Sequence, residues 1–140
     1  MKRSDNRSTP TTATFRGTAK EFLSEQDAYV WMLDRFISYE PQLFTQPASD
    51  LRFLCHGARG ATYFSQSKGE PRKPHPLSNG WYVELNLGNT QKILNLGKLA
   101  SAARLKYGVD WKWDALNQRT RVPIDVEAIL AELESAEQHL

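Results

Sequence analysis

The chain has 140 residues, of which 40% are apolar and 24% charged, a composition that fits one soluble globular domain. A single cysteine excludes an internal disulfide and favours a reducing, cytoplasmic location. The longest uncharged apolar run, residues 28–33, is far shorter than the roughly 20 residues that a membrane-spanning helix needs, so we expect no membrane association.

The net charge of +2 is unevenly distributed along the chain. Residues 51–106 contain nine Lys/Arg and two Asp/Glu, which gives a net charge of +7. Residues 1–50 contain six Lys/Arg and seven Asp/Glu, and residues 107–140 contain three Lys/Arg and seven Asp/Glu. Both flanks are therefore acidic. A basic central block between acidic flanks is the first indication of an anionic partner.

Residues 1–18 are rich in Ser, Thr and Arg and contain few apolar side chains. So little apolar area cannot offset the entropy lost on ordering, and we predict a disordered basic tail over residues 1–18. No apolar segment follows it, which argues against a secretory signal. Residues 19–140 are predicted to form one domain.

Three helices are predicted in that domain. Ser24 followed by Asp27 resembles a capping box and begins the first helix, which Pro41 ends. The second begins at Asn89, continues to about Lys106 and is followed by Gly108. The last begins near residues 123–125, and its apolar positions repeat at helical spacing. Its opposite face is acidic.

Strands are predicted from alternating apolar and polar residues. Residues 50–65 form a hairpin around a glycine-rich turn, residues 81–87 a third strand and residues 109–114 a fourth, while residues 66–80 form a long loop. The order α-β-β-β-α-β-α predicts an α+β fold, with an antiparallel sheet of three to four strands and two or three helices on one face.

Cys55 and His56 are adjacent on the predicted hairpin. Neighbouring strand residues point to opposite faces, so these two side chains cannot form a catalytic pair, and we predict that Cys55 is a core residue. The chain has no zinc-ligand spacing, nucleophile elbow or glycine-rich nucleotide fingerprint. We therefore predict no metal, no cofactor and no assigned catalytic residue.

The polar face of the predicted sheet carries Arg52, His56, Tyr82, Glu84 and Asn86. A solvated outer face is one interpretation. His56 and Glu84 acting as an acid–base pair is another, and Arg52 with Tyr82 holding a phosphate and stacking on a base is a third. Arg59, in the turn after His56, either belongs to a hairpin turn or flanks a backbone anion site.

The second helix carries a polar stripe that includes Gln91, Asn95, Lys98 and Lys106, with Lys92 at its edge. Gln, Asn and Lys at one-turn spacing are side chains that contact base edges and phosphates, although a solvated helix face looks the same. Arg72 and Lys73 in the long loop add to the same basic block.

These observations predict a small non-enzymatic binding protein that engages DNA, RNA or another polyanion through its basic central segment. The residues that carry this prediction are Arg52, His56, Arg59, Arg72, Lys73, Tyr82, Gln91, Lys92, Asn95, Lys98 and Lys106. Two alternatives stay open. One is a homodimerisation or protein-binding module that uses the charge segregation. The other is a small nuclease-like enzyme acting through His56, Glu84 and Arg59.

Overall fold

A computed structural model describes residues 10–44, 63–66, 68–69, 71–117 and 119–138. The described strands are β1 (Thr11–Phe15), β2 (Thr18–Phe22), β3 (Phe64–Ser65), β4 (Pro74–Pro76), β5 (Tyr82–Glu84) and β6 (Trp111–Trp113). The helices are α1 (Glu25–Tyr39), α2 (Asn89–Ala102) and α3 (Val126–Gln138), with a 3-10 turn at Pro41–Phe44. The α+β class is confirmed. From α1 onward, the described elements follow the predicted order.

A β-hairpin precedes α1, where the sequence predicts disorder over residues 1–18. β1 pairs antiparallel with β2 on one side and with β6 on the other. The two turn residues, Arg16 and Gly17, both have positive φ (46° and 90°), as a type I′ hairpin turn requires. β1 was missed because two of its three buried residues, Thr11 and Ala13, are small, and their partners on β6 lie about 100 residues further along the chain. Residues 1–9 lie outside the described residues.

Helix α1 begins and ends where the sequence predicts. The Ser24 hydroxyl accepts hydrogen bonds from the backbone N–H groups of Gln26 and Asp27, which satisfies two free donors of the first turn. The helix packs on the first sheet: the Phe36 ring lies 5.8 Å from that of Phe15 and 5.5 Å from that of Trp111. Helix α1 is therefore the layer between the first sheet and α2.

A second antiparallel sheet has the order β3-β5-β4. The predicted single sheet is thus two small three-stranded sheets, and the predicted loop at residues 66–80 contains strand β4. β4 is hidden in the sequence because two of its three residues are prolines, which pair only at a sheet edge. The first strand of the predicted hairpin, with Cys55, lies outside the described residues.

Helix α2 packs against both α1 and α3. Gly97 lies where α2 and α3 approach most closely, because a Cβ built there would come within 2.5 Å of Leu130 Cδ2. The helix begins after Gly88 and ends at Ala102, about one turn before the predicted end at Lys106. Gly108 therefore does not terminate this helix; it lies in the turn before β6, where its φ is 88°.

The two tryptophans of β6 are core residues, with exposures of 2% and 1%. The Trp113 indole N–H donates to the Thr11 hydroxyl at 2.8 Å, which links β6 to β1, the first of the described strands. Among the described helices, none has the length and apolar content that crossing a bilayer would require.

Candidate functional site

Three of the predicted binding residues, Arg52, His56 and Arg59, lie outside the described residues. The acid–base hypothesis also needs Glu84, which the structure does describe. Because Glu84 alternates with Val83, the sequence predicts that it lies on an open polar face. In the structure its side chain is buried instead, with an exposure of only 4%. The correction follows from local geometry, because the chain before β4 folds over this side of β5.

The Glu84 carboxylate holds that chain in place. Its two oxygens accept hydrogen bonds from the backbone N–H groups of Arg72, Lys73 and Asn86, at 2.8 Å in the last case. Three donors on one buried carboxylate compensate for its lost hydration. The carboxylate is therefore committed to the backbone, which argues against a role in acid–base chemistry.

Arg72 and Lys73 are placed by this anchor as two adjacent exposed cations. The Lys73 carbonyl also accepts a hydrogen bond from the Leu85 backbone N–H at 3.1 Å, so the segment is fixed along the end of β4. Tyr82 is half-buried, two residues before Glu84 on β5, and pairs with Ser65 and Pro76. Arg72, Lys73 and Tyr82 thus belong to one sheet region, although the sequence predicts Arg72 and Lys73 in a loop apart from the sheet.

The polar stripe of α2 is largely internal, contrary to its interpretation as a binding face. Asn95 is 1% exposed; its side-chain amide donates to the Tyr29 hydroxyl at 3.1 Å and accepts from Gln91 Nε2 at 2.9 Å. The physical reason is that α2 is covered by α1 on one side and by α3 on another. Burial raises the pKa of Tyr29, and the bond from Asn95 opposes that rise.

Lys92 is also buried, with an exposure of 1%. Its Nζ lies 3.4 Å from Asn89 Oδ1, and its pKa is lowered, chiefly by burial. Nearby Glu25 opposes this shift and Lys73 adds to it. A side chain in this position cannot contact a phosphate, so neither Lys92 nor Asn95 is carried forward as a binding residue.

The other predicted residues of α2 and its C-terminal extension retain some exposure. Gln91 and Lys98 are half-buried, and Lys106 is exposed. Lys106 and Arg104 line an open groove of about 580 Å³ between α2 and α3, which also contains Glu127 and Glu134. The charges in this groove are mixed, so it is a less favourable polyanion surface than the Arg72–Lys73 pair.

Six described cations of the central block keep contact with solvent: Lys98 is half-buried, and the exposed ones are Lys68, Arg72, Lys73, Arg104 and Lys106. None of the six forms an ion pair with a carboxylate in the described part of the chain, where the ion pairs are Arg16–Asp110 and Arg121–Glu25. The acidic flanks therefore form no direct ion pair with these cations in the described residues, although Glu127 and Glu134 share the groove with Arg104 and Lys106.

A second charged surface lies where β2 runs beside α1, and sequence reasoning missed it. Three cations each lie over an aromatic ring: Arg16 is 4.8 Å from the Tyr39 centroid, Lys20 is 5.5 Å from that of Phe22, and Arg35 is 5.9 Å from that of Trp31. We call these six residues the cation–aromatic stripe. The spacing of Trp31, Arg35 and Tyr39, four residues apart, was the available signal.

Metal ligation finds no support in the described part of the chain, where no three side chains of the His, Cys, Asp or Glu type come together. Comparisons with known proteins give no family either: no family model, curated protein or solved structure matches this chain.

Proposed function

We propose that this chain is a non-enzymatic protein that binds nucleic acid, or another polyanion, through the exposed cations of its central block. The observation that carries the proposal is the Arg72–Lys73 pair, whose backbone is fixed by the buried Glu84 carboxylate. Because the pair is already ordered, an anion that binds to it does not have to order the backbone first.

The surrounding charges support the same proposal. Exposed Lys68 lies in the same segment of the chain, four residues before Arg72, and adds a third cation to this region. Phosphates that neutralise exposed Lys and Arg release counterions, which gives affinity a steep dependence on salt. A cytoplasmic location belongs to this proposal, because a lone cysteine suits a reducing compartment.

A salt titration tests the proposal, with fluorescein-labelled mixed-sequence DNA and RNA as probes and fluorescence anisotropy as the readout. We expect binding at low salt that weakens linearly on a log–log plot. The double variant Arg72→Ala/Lys73→Ala should lower affinity for every sequence and reduce the salt slope by about two, since each phosphate contact contributes about one.

The matched control is Lys112→Ala/Arg119→Ala, which removes the same charge from two exposed positions outside the central block. It should retain most of the wild-type affinity and slope. Absence of binding to both probes at low salt, or an equal loss of affinity in the control, would overturn the proposal.

A further inference from the structure

We propose that the cation–aromatic stripe is a second nucleic-acid surface, one that stacks unpaired bases and so gives the protein a preference for single strands. The inference rests on the proposed function, but it concerns residues that lie outside the central block. It assigns a ligand class, single-stranded DNA or RNA, that the Arg72–Lys73 pair alone does not select.

The stripe is continuous along the seam between the hairpin and α1. Trp31, Arg35 and Tyr39 follow one another at four-residue spacing, so they form a row about 12 Å long on one side of the helix. The hairpin meets this row at both ends. The Phe22 ring lies 5.6 Å from that of Trp31, and the Phe15 ring lies 6.0 Å from that of Tyr39.

The rings of the stripe pack against neighbouring rings and keep part of their surface exposed. Tyr39 is 42% exposed although it packs on Phe15, and Trp31 and Phe22 are half-buried against each other. Rings held in this way lose little conformational freedom when a base stacks on them. Stacking is also open to every base, because each has a π face.

The cations of the stripe provide the charge that a nucleic-acid backbone needs. Lys20 and Arg35 are exposed and, in the described part of the chain, form no ion pair. Arg16 lies 3.8 Å from Asp110, yet half of its side chain is exposed. Base stacking is stronger than an exposed cation–π contact, so a base can displace a cation from its ring and leave it free to meet a phosphate.

Two of the neighbouring carboxylates are directed elsewhere, whereas exposed Asp27 lies one turn before Trp31 on α1. Glu21 follows Lys20 on β2 and therefore points to the other face of the sheet. Asp34 lies on α1 next to Arg35, but its carboxylate accepts the Ser78 backbone N–H at 3.0 Å. Both chemical parts of a single-strand surface, stacking rings and available cations, are thus present together.

The test compares a 12-nucleotide mixed-sequence single strand, as DNA and as RNA, with the matching DNA duplex. Wild-type protein should bind the single strands at least several-fold more tightly than the duplex at the same salt. Tyr39→Leu keeps an apolar side chain on Phe15 but removes the π face. It should weaken single-strand binding about tenfold, within the range for one stacked base, and leave duplex binding unchanged.

Arg35→Ala is a second variant at an exposed position, where unfolding by thermal melting is expected to match wild type. It should weaken single-strand binding several-fold and reduce its salt slope by about one. Leu23→Ala is the control, because Leu23 is 68% exposed beside the stripe but has no ring, and it should bind like wild type.

Three results would overturn the inference: equal affinity for single strand and duplex, wild-type binding by Tyr39→Leu, or a defect in Leu23→Ala as large as that in Tyr39→Leu. The last result, combined with concentration-dependent light scattering, would indicate that the stripe and the β2 edge meet a second copy of the chain.

Loss of binding in Arg72→Ala/Lys73→Ala with no effect at Tyr39 would refute the stripe alone. Absence of all nucleic-acid binding would refute the proposed function itself.

Discussion

Lys92 is, among the described basic residues, the one that the fold buries completely. Its pKa is lowered from the ordinary value of 10.5, chiefly by burial, because removal from water disfavours the charged form. Between the lowered pKa and 10.5 the unfolded chain therefore binds more protons than the folded chain. Since stability rises with pH wherever the unfolded state holds more protons, this lysine becomes less costly to bury as the pH approaches 10.5.

Replacing Lys92 by Met should remove that dependence. We expect the stability of Lys92→Met relative to wild type to be greatest near neutral pH and to decrease steadily toward pH 10.5. Urea unfolding of both proteins at several pH values measures the difference. Ionisation of Tyr29 and Tyr107 is common to both and cancels from it.

Lys98→Met, on the same helix but at a half-buried position, controls for the loss of a lysine side chain. A difference between Lys92→Met and wild type that stays constant from neutral pH to 10.5 would contradict the assignment. That result would mean that the pKa of Lys92 is not lowered in the folded chain.

The polar residues of α2 illustrate what sequence could and could not predict at the scale of single side chains. Gln91 and Asn95 have the spacing of a solvated or ligand-binding stripe, and nothing local distinguishes that stripe from a buried hydrogen-bonded network. The distinction comes from Tyr29, 66 residues earlier, whose hydroxyl accepts a hydrogen bond from the side-chain amide of Asn95. Ser24, in contrast, caps residues two and three positions away, so its role was readable.

At the scale of elements, the contact between α2 and α3 depends on the absence of a side chain at Gly97. A Cβ there would lie 2.5 Å from Leu130 Cδ2 and 3.2 Å from Leu133 Cδ2. A single methyl group can be accommodated by rotation of the half-buried Leu130 side chain. A branched side chain cannot, and α3 would have to move away.

Gly97→Val should therefore destabilise the protein by about 1–3 kcal/mol, the usual cost of overpacking. Intrinsic helix propensity predicts the opposite sign, because Val is a better helix former than Gly. The control is Ser101→Val, one turn further along the same helix at an exposed position. Chemical unfolding of the two variants gives the comparison, and an equal loss of stability in both would refute the close approach of the helices.

Elements with their own start and stop signals could be predicted, whereas strands with distant partners could not. Helix α1 has a capping residue and a terminating proline, so its limits were visible in 18 consecutive residues from Ser24 to Pro41. Strand β4 has two prolines and owes its pairing to β5. The stripe was missed for a related reason: its helical half was visible, but its other half belongs to a hairpin whose first strand and turn lie in the segment predicted to be disordered, residues 1–18.

At the scale of the whole molecule, the first sheet joins the start of the described chain to β6, about 100 residues later. Thr11 is 1% exposed, and its hydroxyl donates to the Asp114 carbonyl at 2.8 Å while it accepts the Trp113 indole N–H at 2.8 Å. These bonds span 103 and 102 residues. Contacts of such separation form only when the intervening elements are in place, so they report on the complete fold.

Thr11→Val tests this connection, because valine has nearly the same shape but can neither donate nor accept a hydrogen bond. It leaves the Trp113 indole N–H without its Thr11 acceptor and the Asp114 carbonyl without its Thr11 donor, so we expect a loss of about 1–3 kcal/mol in the free energy of unfolding. Thr14→Val makes the same change on the half-buried opposite face of β1 and should cost much less.

The loss in Thr11→Val should be the same by tryptophan fluorescence and by far-ultraviolet circular dichroism, because closure of the first sheet holds tertiary and secondary structure together. Two results would contradict this: a Thr11→Val variant as stable as Thr14→Val, or unfolding transitions by fluorescence and circular dichroism that do not coincide. Either would mean that the hairpin is not an integral part of this fold.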